Sequence, residues 1–343
     1  MSDYTNVNYF ITSQGGKIFQ IPVRCFPGLN GWVYLVLVED NGEKYRVLID
    51  SGSGFGEANQ DLEKGLEIAS GLYGEKIDWS TLTHILITHG HIDHFGGMFY
   101  IRPKTPAKVG IHELDLRNLT NYEERLTIIS GRLERFLIEA GVKPEKRSQL
   151  IDMYKFAKSL RQSIAVDFTY EAIGMQLGPF QILHVPGHCG GQVVVRLHDI
   201  LFSGDHILEK TTPHQSPEHL TLYTGLGHYL ESLDRLKGWS NGVKLSLGGH
   251  EGPVTDLPGR ISEIKTMHHQ RLEKVMDILF VPHTIEEISI ELFGEVHGYN
   301  ILLALEETGA HIEYLYQRGL LEIKNLEELE RGSQPVAITY HRL

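Results

Sequence analysis

Residues 84–97 read His84-Ile85-Leu86-Ile87-Thr88-His89-Gly90-His91-Ile92-Asp93-His94-Phe95-Gly96-Gly97. The first four form a short apolar run that predicts a buried strand. The run leads directly into three imidazoles and a carboxylate spaced H-x-H-x-D-H. Alternate side chains of such a turn, His89 and His91, can face one cation, and the adjacent pair Asp93-His94 can face a second. Imidazole and carboxylate donors suit zinc, iron or manganese. A lone histidine at a strand end is ordinarily a surface or core residue. Four ligands in one turn are rarely accidental, even in a chain with 19 histidines.

Two cations need more ligands than one turn supplies. Downstream, three predicted strands (181–185, 200–203 and 243–247) end near residues of the same kind: Gly187-His188, Gly204-Asp205 and Gly249-His250. Strand ends are where an α/β fold collects functional groups. Asp205 has two oxygens and can bridge two ions. The glycines beside these residues let backbone approach a crowded centre.

Upstream, 17–23, 32–38 and 45–49 are β-branched and aromatic runs. Asn41-Gly42 marks a hairpin between the last two, and Asp50 closes the third in Asp50-Ser51-Gly52-Ser53-Gly54. Leu62, Leu66, Ile68 and Leu72 predict a helix over 58–73, and a further strand is expected over 107–111. From about 113 to 161 the pattern is helical and charged, an insertion before the later strands. A helix is expected over 227–239. The character changes near Leu257-Pro258-Gly259. Helices over 260–279, 284–292 (Thr284 as N-cap) and 299–318 (ended by Gly319) follow, then a short strand pair closing on 337–341. Two domains are expected, 1–257 and 258–343.

The chain of 343 residues has a net charge of −12, which disfavours non-specific binding to phosphate backbones. Cys25 and Cys189 are its two cysteines, too few for a disulfide framework, so a reducing, cytoplasmic setting is expected. Residues 1–16 show no secretory pattern. No apolar run approaches the roughly 18–20 residues that span a bilayer.

The H-x-H-x-D-H string, with the later His, Asp and His in that order, resembles the signature of the metallo-β-lactamase superfamily over about residues 17–256. The resemblance implies an α/β fold, a four-layer αβ/βα sandwich with the site at the edge of two sheets. It implies that His89, His91 and His188 bind one metal and that Asp93, His94 and His250 bind the other, with Asp205 bridging. Asp50 matches the family's strand-end aspartate, placed to orient a ligand histidine from behind. His94 stands where true β-lactamases of this superfamily usually have Arg or Cys, and this resembles the glyoxalase II and ribonuclease Z groups. His91 stands where flavodiiron proteins carry Glu. Residues 258–343 resemble the winged-helix domain of glyoxalase II-like hydrolases. That segment holds 8 Lys/Arg against 14 Asp/Glu, which argues against a DNA-reading role.

The reaction these features imply is hydrolysis by a hydroxide shared between two divalent metal ions, zinc first, with iron or manganese compatible. Asp93 and Asp205 would be the catalytic carboxylates and a small (thio)ester or related acyl compound the substrate. Alternatives are a metal-dependent endoribonuclease or phosphodiesterase, and a mononuclear iron enzyme of the persulfide dioxygenase kind. His206 is a candidate behind the ligands, and His214 and Tyr223 are candidates for substrate contact; Tyr229 and His268-His269 are weaker ones. Cys189 is expected to be a small buried residue. The expected partner is a small-molecule substrate, with a homodimer as a further option.

Overall fold

The computed structural model describes residues 6–158, 162–332 and 334–343. The first five residues of the N-terminal reading and the last three of the expected insertion lie outside the described residues.

Seven strands form one mixed sheet in chain order: β1 (Asn8–Ile11), β2 (Lys17–Phe26), β3 (Leu29–Asp40), β4 (Glu43–Ile49), β5 (His84–Leu86), β6 (Lys108–Ile111) and β7 (Phe168–Thr169). The first four pair antiparallel and the rest parallel. The β3–β4 hairpin turns on Asn41 and Gly42, at φ 51° and 81°, the left-handed pair that a tight two-residue turn requires. Five strands form the second sheet: β8 (Gln176–Leu177), β9 (Phe180–His184), β10 (Val193–Leu197), β11 (Ile200–Gly204) and β12 (Leu245–Gly248). β11 and β12 run parallel. β1, β7 and β8 escaped the sequence reading. They are short edge pieces without sustained alternation, the signal by which strands are read.

Alternation along the strands builds the layers. In β3, Tyr34 and Val36 face the second sheet, joining Ile18, Ile49, Phe180, Val195 and Phe202 between the sheets. Val33 and Leu35 point the other way. There they meet α1 (Ala58–Tyr73), the short helices α2 (Ile92–Phe95) and α3 (Met98–Ile101), and the start of the insertion, α4 (Leu116–Thr120). The other face of the second sheet contributes Val194 and Leu201 to a third cluster. The arrangement is helix–sheet–sheet–helix, a mixed α/β sandwich.

The third cluster is large and continuous. It takes in α5 (Tyr122–Glu139), α6 (Pro144–Lys158), α7 (Leu226–Trp239), α8 (Leu257–Ile278), α9 (Ile285–Phe293) and α10 (Asn300–Gln317). Leu137, Leu233, Ile264, Ile288 and Leu305 share it. The C-terminal helices thus pack on the same apolar surface as the insertion and α7. Thr284 caps α9 in a reciprocal box with Glu287. The last strands, β13 (Leu321–Ile323) and β14 (Tyr340–Arg342), pair antiparallel with the short helix α11 (Leu326–Arg331) between them. Buried Arg260 of α8 donates to the carbonyls of Leu208 and Thr211 at 2.7 Å each, pinning the loop after β11. No helix among the described residues is long and apolar enough to cross a membrane.

Candidate metal centre

Parallel register brings the strand ends together. β4 and β5 pair Ile49 with Leu86, so Asp50 lies beside Thr88. β11 and β12 pair Gly204 with Gly248, so Asp205 and His250 leave neighbouring strands at one level. The sheets are joined at this edge: Val193 N donates to Thr88 O at 2.9 Å, and Trp32 N to Gly249 O at 2.8 Å. Two glycines are obligatory here. A Cβ on Gly97 would overlap the Ser51 carbonyl and hold the turn of Asp93 and His94 away from the Asp50 loop. A Cβ on Gly249 would overlap Asp205 Oδ1 and the His94 ring.

All seven predicted ligand residues meet there in two groups, each offering atoms that lie within 4.8 Å of one another: His89, His91 and His188, and Asp93, His94, Asp205 and His250. His89 Nε2 lies 3.1 Å from His91 Nδ1. Asp205 stands between the groups. Its Oδ1 is 3.4 Å from His94 Nε2, and its Oδ2 is 3.4 Å from His250 Nε2 and 3.7 Å from His188 Nε2. Asp93 Oδ2 is 3.2 Å from His250 Nε2 and 3.7 Å from His94 Nε2.

Each of four rings is held from behind through Nδ1. That of His94 binds Asp50 Oδ2 at 2.8 Å, and that of His89 lies 3.0 Å from Thr88 Oγ1. Those of His188 and His250 bind the carbonyls of His214 and Asn30, at 2.6 Å each. A ring that donates from Nδ1 presents the Nε2 lone pair to the centre. Asp50 also accepts from Thr88 N at 2.7 Å and from Thr88 Oγ1 at 2.8 Å. Thr88 Oγ1 therefore donates to Asp50 and accepts from His89, so one carboxylate orients a histidine in each group.

Among the buried polar atoms left without a hydrogen-bond partner are His94 Nε2, His188 Nε2 and Asp205 Oδ1. Burying such atoms unpaired is costly. Their convergence in a histidine–carboxylate set fits divalent ions of the transition series.

Electrostatics express the same convergence. Burial opposes charge on His94 and His250, yet Asp205, with Asp93 beside it, raises both well above the ordinary histidine range. Burial also opposes charge on Asp205, and the His250 and His94 imidazoliums reverse this and hold it well below the carboxylate range. Burial, then the charge of neighbouring His94, drives His89 well below the usual 6.5. In the metal-free protein, His94 and His250 keep protons that the unfolded chain sheds above about pH 6.5. Their stabilisation is complete below that pH and is lost as pH rises through the folded values. Depressed His89 contributes no slope above 6.5. The chelator-stripped protein is therefore expected to lose stability from pH 7 to 8.5. Thermal melts across that range check this; a level or rising profile would contradict it.

The remaining candidates are placed differently. His206 is fully buried; its ring lies edge-on to Tyr229 at 5.2 Å, and neither ring nitrogen has a hydrogen-bond partner. His214 turns Nε2 to the Leu303 carbonyl at 3.1 Å and serves the centre through its own carbonyl. Tyr223 is 44% exposed at φ 63°. Tyr229 is buried, with its hydroxyl donating to His206 O. His268 is fully buried against His311, and His269 is bonded to its own helix. Cys25 and Cys189 are buried free thiols, that of Cys25 pushed up to about 12 by burial first and Asp93 second.

Asp115 escaped the sequence reading. It is 1% exposed and accepts from Gly90 N at 2.7 Å and from Cys189 Sγ at 3.1 Å. It thereby ties the 89–91 turn to the 188–191 loop. No motif marks it, one acid among several at the start of the insertion.

The metallo-beta-lactamase superfamily model matches residues 27–276. The chain belongs to this superfamily, whose members are hydrolytic enzymes. It is similar to a probable metallo-hydrolase, YqjP of Bacillus subtilis, at 23% identity over 78% of this chain and 83% of that one. It is similar to the metallo-beta-lactamase family protein TTHA1429 of Thermus thermophilus, whose crystal structure superposes with a TM-score of 0.69 at 26% identity, covering 95% of this chain and 98% of that one. A stretch covering 43% of the chain is 28% identical to the endoribonuclease YSH1 of Mycosarcoma maydis and spans 17% of that protein's length.

Proposed function

We propose that the protein is a dinuclear metal-dependent hydrolase acting on a small (thio)ester or related acyl substrate, in the glyoxalase II-like manner. The observation that carries this reading is the pair of abutting ligand groups, with Asp205 of the second lying 3.7 Å from His188 Nε2 of the first and with the Nε2 atoms of His94 and His188 buried without a partner. His89, His91 and His188 would hold one ion, and Asp93, His94 and His250 the other, with Asp205 common to both; zinc is the first candidate. Divalent ions held by these residues would supply a water whose pKa is lowered from 15.7 to about 7 and would polarise a substrate oxygen. Asp93 and Asp205 keep ionised oxygens at the centre as acceptors that position the attacking water. Asp50 and Thr88 lock the tautomers of His94 and His89. Residues 258–343, read as a winged-helix-like unit, serve with the insertion as a wall of the substrate pocket, since both join one apolar cluster with α7.

The partial similarity to the endoribonuclease YSH1 favours the endoribonuclease reading, but the chain's charge of −12 opposes it. Several cations of the two stretches that could form a basic groove, around Lys104 and Lys108 and over 132–146, already have acidic partners: Lys104 with Glu63, Arg135 with Glu139, Lys146 with Glu286. Elemental analysis combined with thioester, lactone, phosphodiester and RNA substrates tests the proposal. Two ions per chain with chelator-sensitive thioester or lactone hydrolysis is the expected result. One iron per chain with oxygen consumption would replace it with the dioxygenase reading, and RNA cleavage alone with the nuclease reading.

A further inference from the structure

We propose that Glu307 is a positioning residue for the metal centre: from α10 it fixes the 213–215 loop, whose His214 carbonyl holds the Nδ1–H of His188. Glu307 is 7% exposed, and its Oε2 accepts the Gln215 backbone N–H at 2.7 Å. The preceding carbonyl, that of His214, accepts from His188 Nδ1 at 2.6 Å. The same loop is tied to α10 a second time, by His214 Nε2 on Leu303 O at 3.1 Å. Leu303 and Glu307 are one helical turn apart, so α10 grips the loop at two adjacent points. Gln215 Nε2 closes the loop on itself through Pro213 O at 3.0 Å. The carbonyl that sets the orientation of His188 is thus immobilised from the C-terminal helices.

The surroundings of Glu307 explain how it does this while buried. An isolated carboxylate at this depth is costly unless it is paired. The Arg271 guanidinium of α8 contacts Oε1. Burial pushes the Glu307 carboxyl up to about 7, with Arg271 and the Gln215 N–H opposing the rise. His311, four residues on, returns Nδ1 to Glu307 O at 2.7 Å and stacks on His268, with 3.2 Å between His268 Nδ1 and His311 Nε2. In its ionised form the carboxylate is a stronger acceptor for a backbone N–H than a neutral group.

His268, Glu307 and His311 also satisfy the spacing of a metal-binding group. Arg271 occupies one carboxylate oxygen and Gln215 N–H the other, and the guanidinium also lies 3.5 Å from His268 Nδ1. A dication would have to displace that fixed positive charge, so the geometry favours a positioning role.

The inference rests on the metal reading of His89, His91 and His188, and its test separates the two. Metal-stripped protein is titrated with zinc against a chromophoric chelator, comparing wild type, Glu307→Ala and Glu307→Gln. Wild type is expected to bind two ions. Glu307→Ala weakens one of the two by up to about 10-fold and leaves the other unchanged, less than the roughly 10- to 100-fold seen when the group directly behind a ligand is removed. Glu307→Gln, which keeps an oxygen for the Gln215 N–H, restores most of the loss. Equal weakening of both sites without rescue by glutamine, or unchanged affinities in folded Glu307→Ala, overturns the proposal. So does a third ion in wild type that disappears in Glu307→Ala, which would make the cluster a metal site. If Glu307→Ala does not fold, hydrogen exchange of the Gln215 amide in the unmodified metal-free protein decides. Protection like that of the α10 interior is expected, and exchange at an open-loop rate overturns the proposal. That exchange needs no metal, so a protein that binds no zinc would sink the metal reading while leaving this tie measurable.

Discussion

Replacing Asp205 by alanine is expected to lower kcat/KM for the metal-dependent hydrolysis by about a thousandfold, on the order of 4 kcal/mol of transition-state stabilisation. It should also leave the protein unable to retain two ions per chain. The reason is the position of this carboxylate. Its two oxygens lie 3.4–3.7 Å from the Nε2 atoms of His94, His188 and His250, which belong to both ligand groups. Without it, imidazoles face one another with less negative charge to hold two dications together. Asp205 is also the main charge raising His94 and His250. Its loss should therefore flatten the pH dependence of the metal-free protein between pH 7 and 8.5, a readout independent of turnover. A folded Asp205→Ala protein with two ions and undiminished activity would remove the basis of the dinuclear proposal.

Replacing Asp50 by alanine should weaken both metal sites, each by about 10- to 100-fold, without touching a ligand. Asp50 accepts directly from His94 and, through Thr88 Oγ1, orients His89. Alanine leaves the Thr88 N–H and the His94 Nδ1–H buried without an acceptor, each costing about 1–3 kcal/mol. It also places a Cβ-only side chain at φ 63°, a conformation that Asp and Asn tolerate best. The Asp50→Asn variant separates the two effects. It keeps the backbone preference but supplies an amide N–H2 where Thr88 or His94 also donates. If the hydrogen bonds matter, this variant restores folding stability more than metal affinity. Zinc competition and chemical denaturation on both variants measure this; metal affinity fully restored in Asp50→Asn would assign the role to the backbone turn alone.

The seven ligand candidates were legible because each sits at the end of a strand, beside glycine or in one continuous string. Strand ends and clustered imidazoles are local features of the chain. The same locality made the β3–β4 hairpin, α1 and the Thr284 cap readable. Asp115 was not legible, because its value lies in joining the Gly90 turn to the Cys189 loop from a segment that resembles any charged helix start. Glu307 was hidden in the same way, since 92 residues separate it from the amide it accepts. His214 drew attention for its imidazole, whereas the fold uses its carbonyl.

The order of residues along the chain was enough to specify the kind of chemistry: which donor types gather, at what spacing, and in which succession. How the rings are aimed was settled in three dimensions. His188 and His250 are fixed by the carbonyls of His214 and Asn30. Every residue carries a carbonyl, so no side chain in the sequence can announce which one will stand behind a ligand. That choice is made by how strands, loops and α10 pack, and packing is a property of the whole chain.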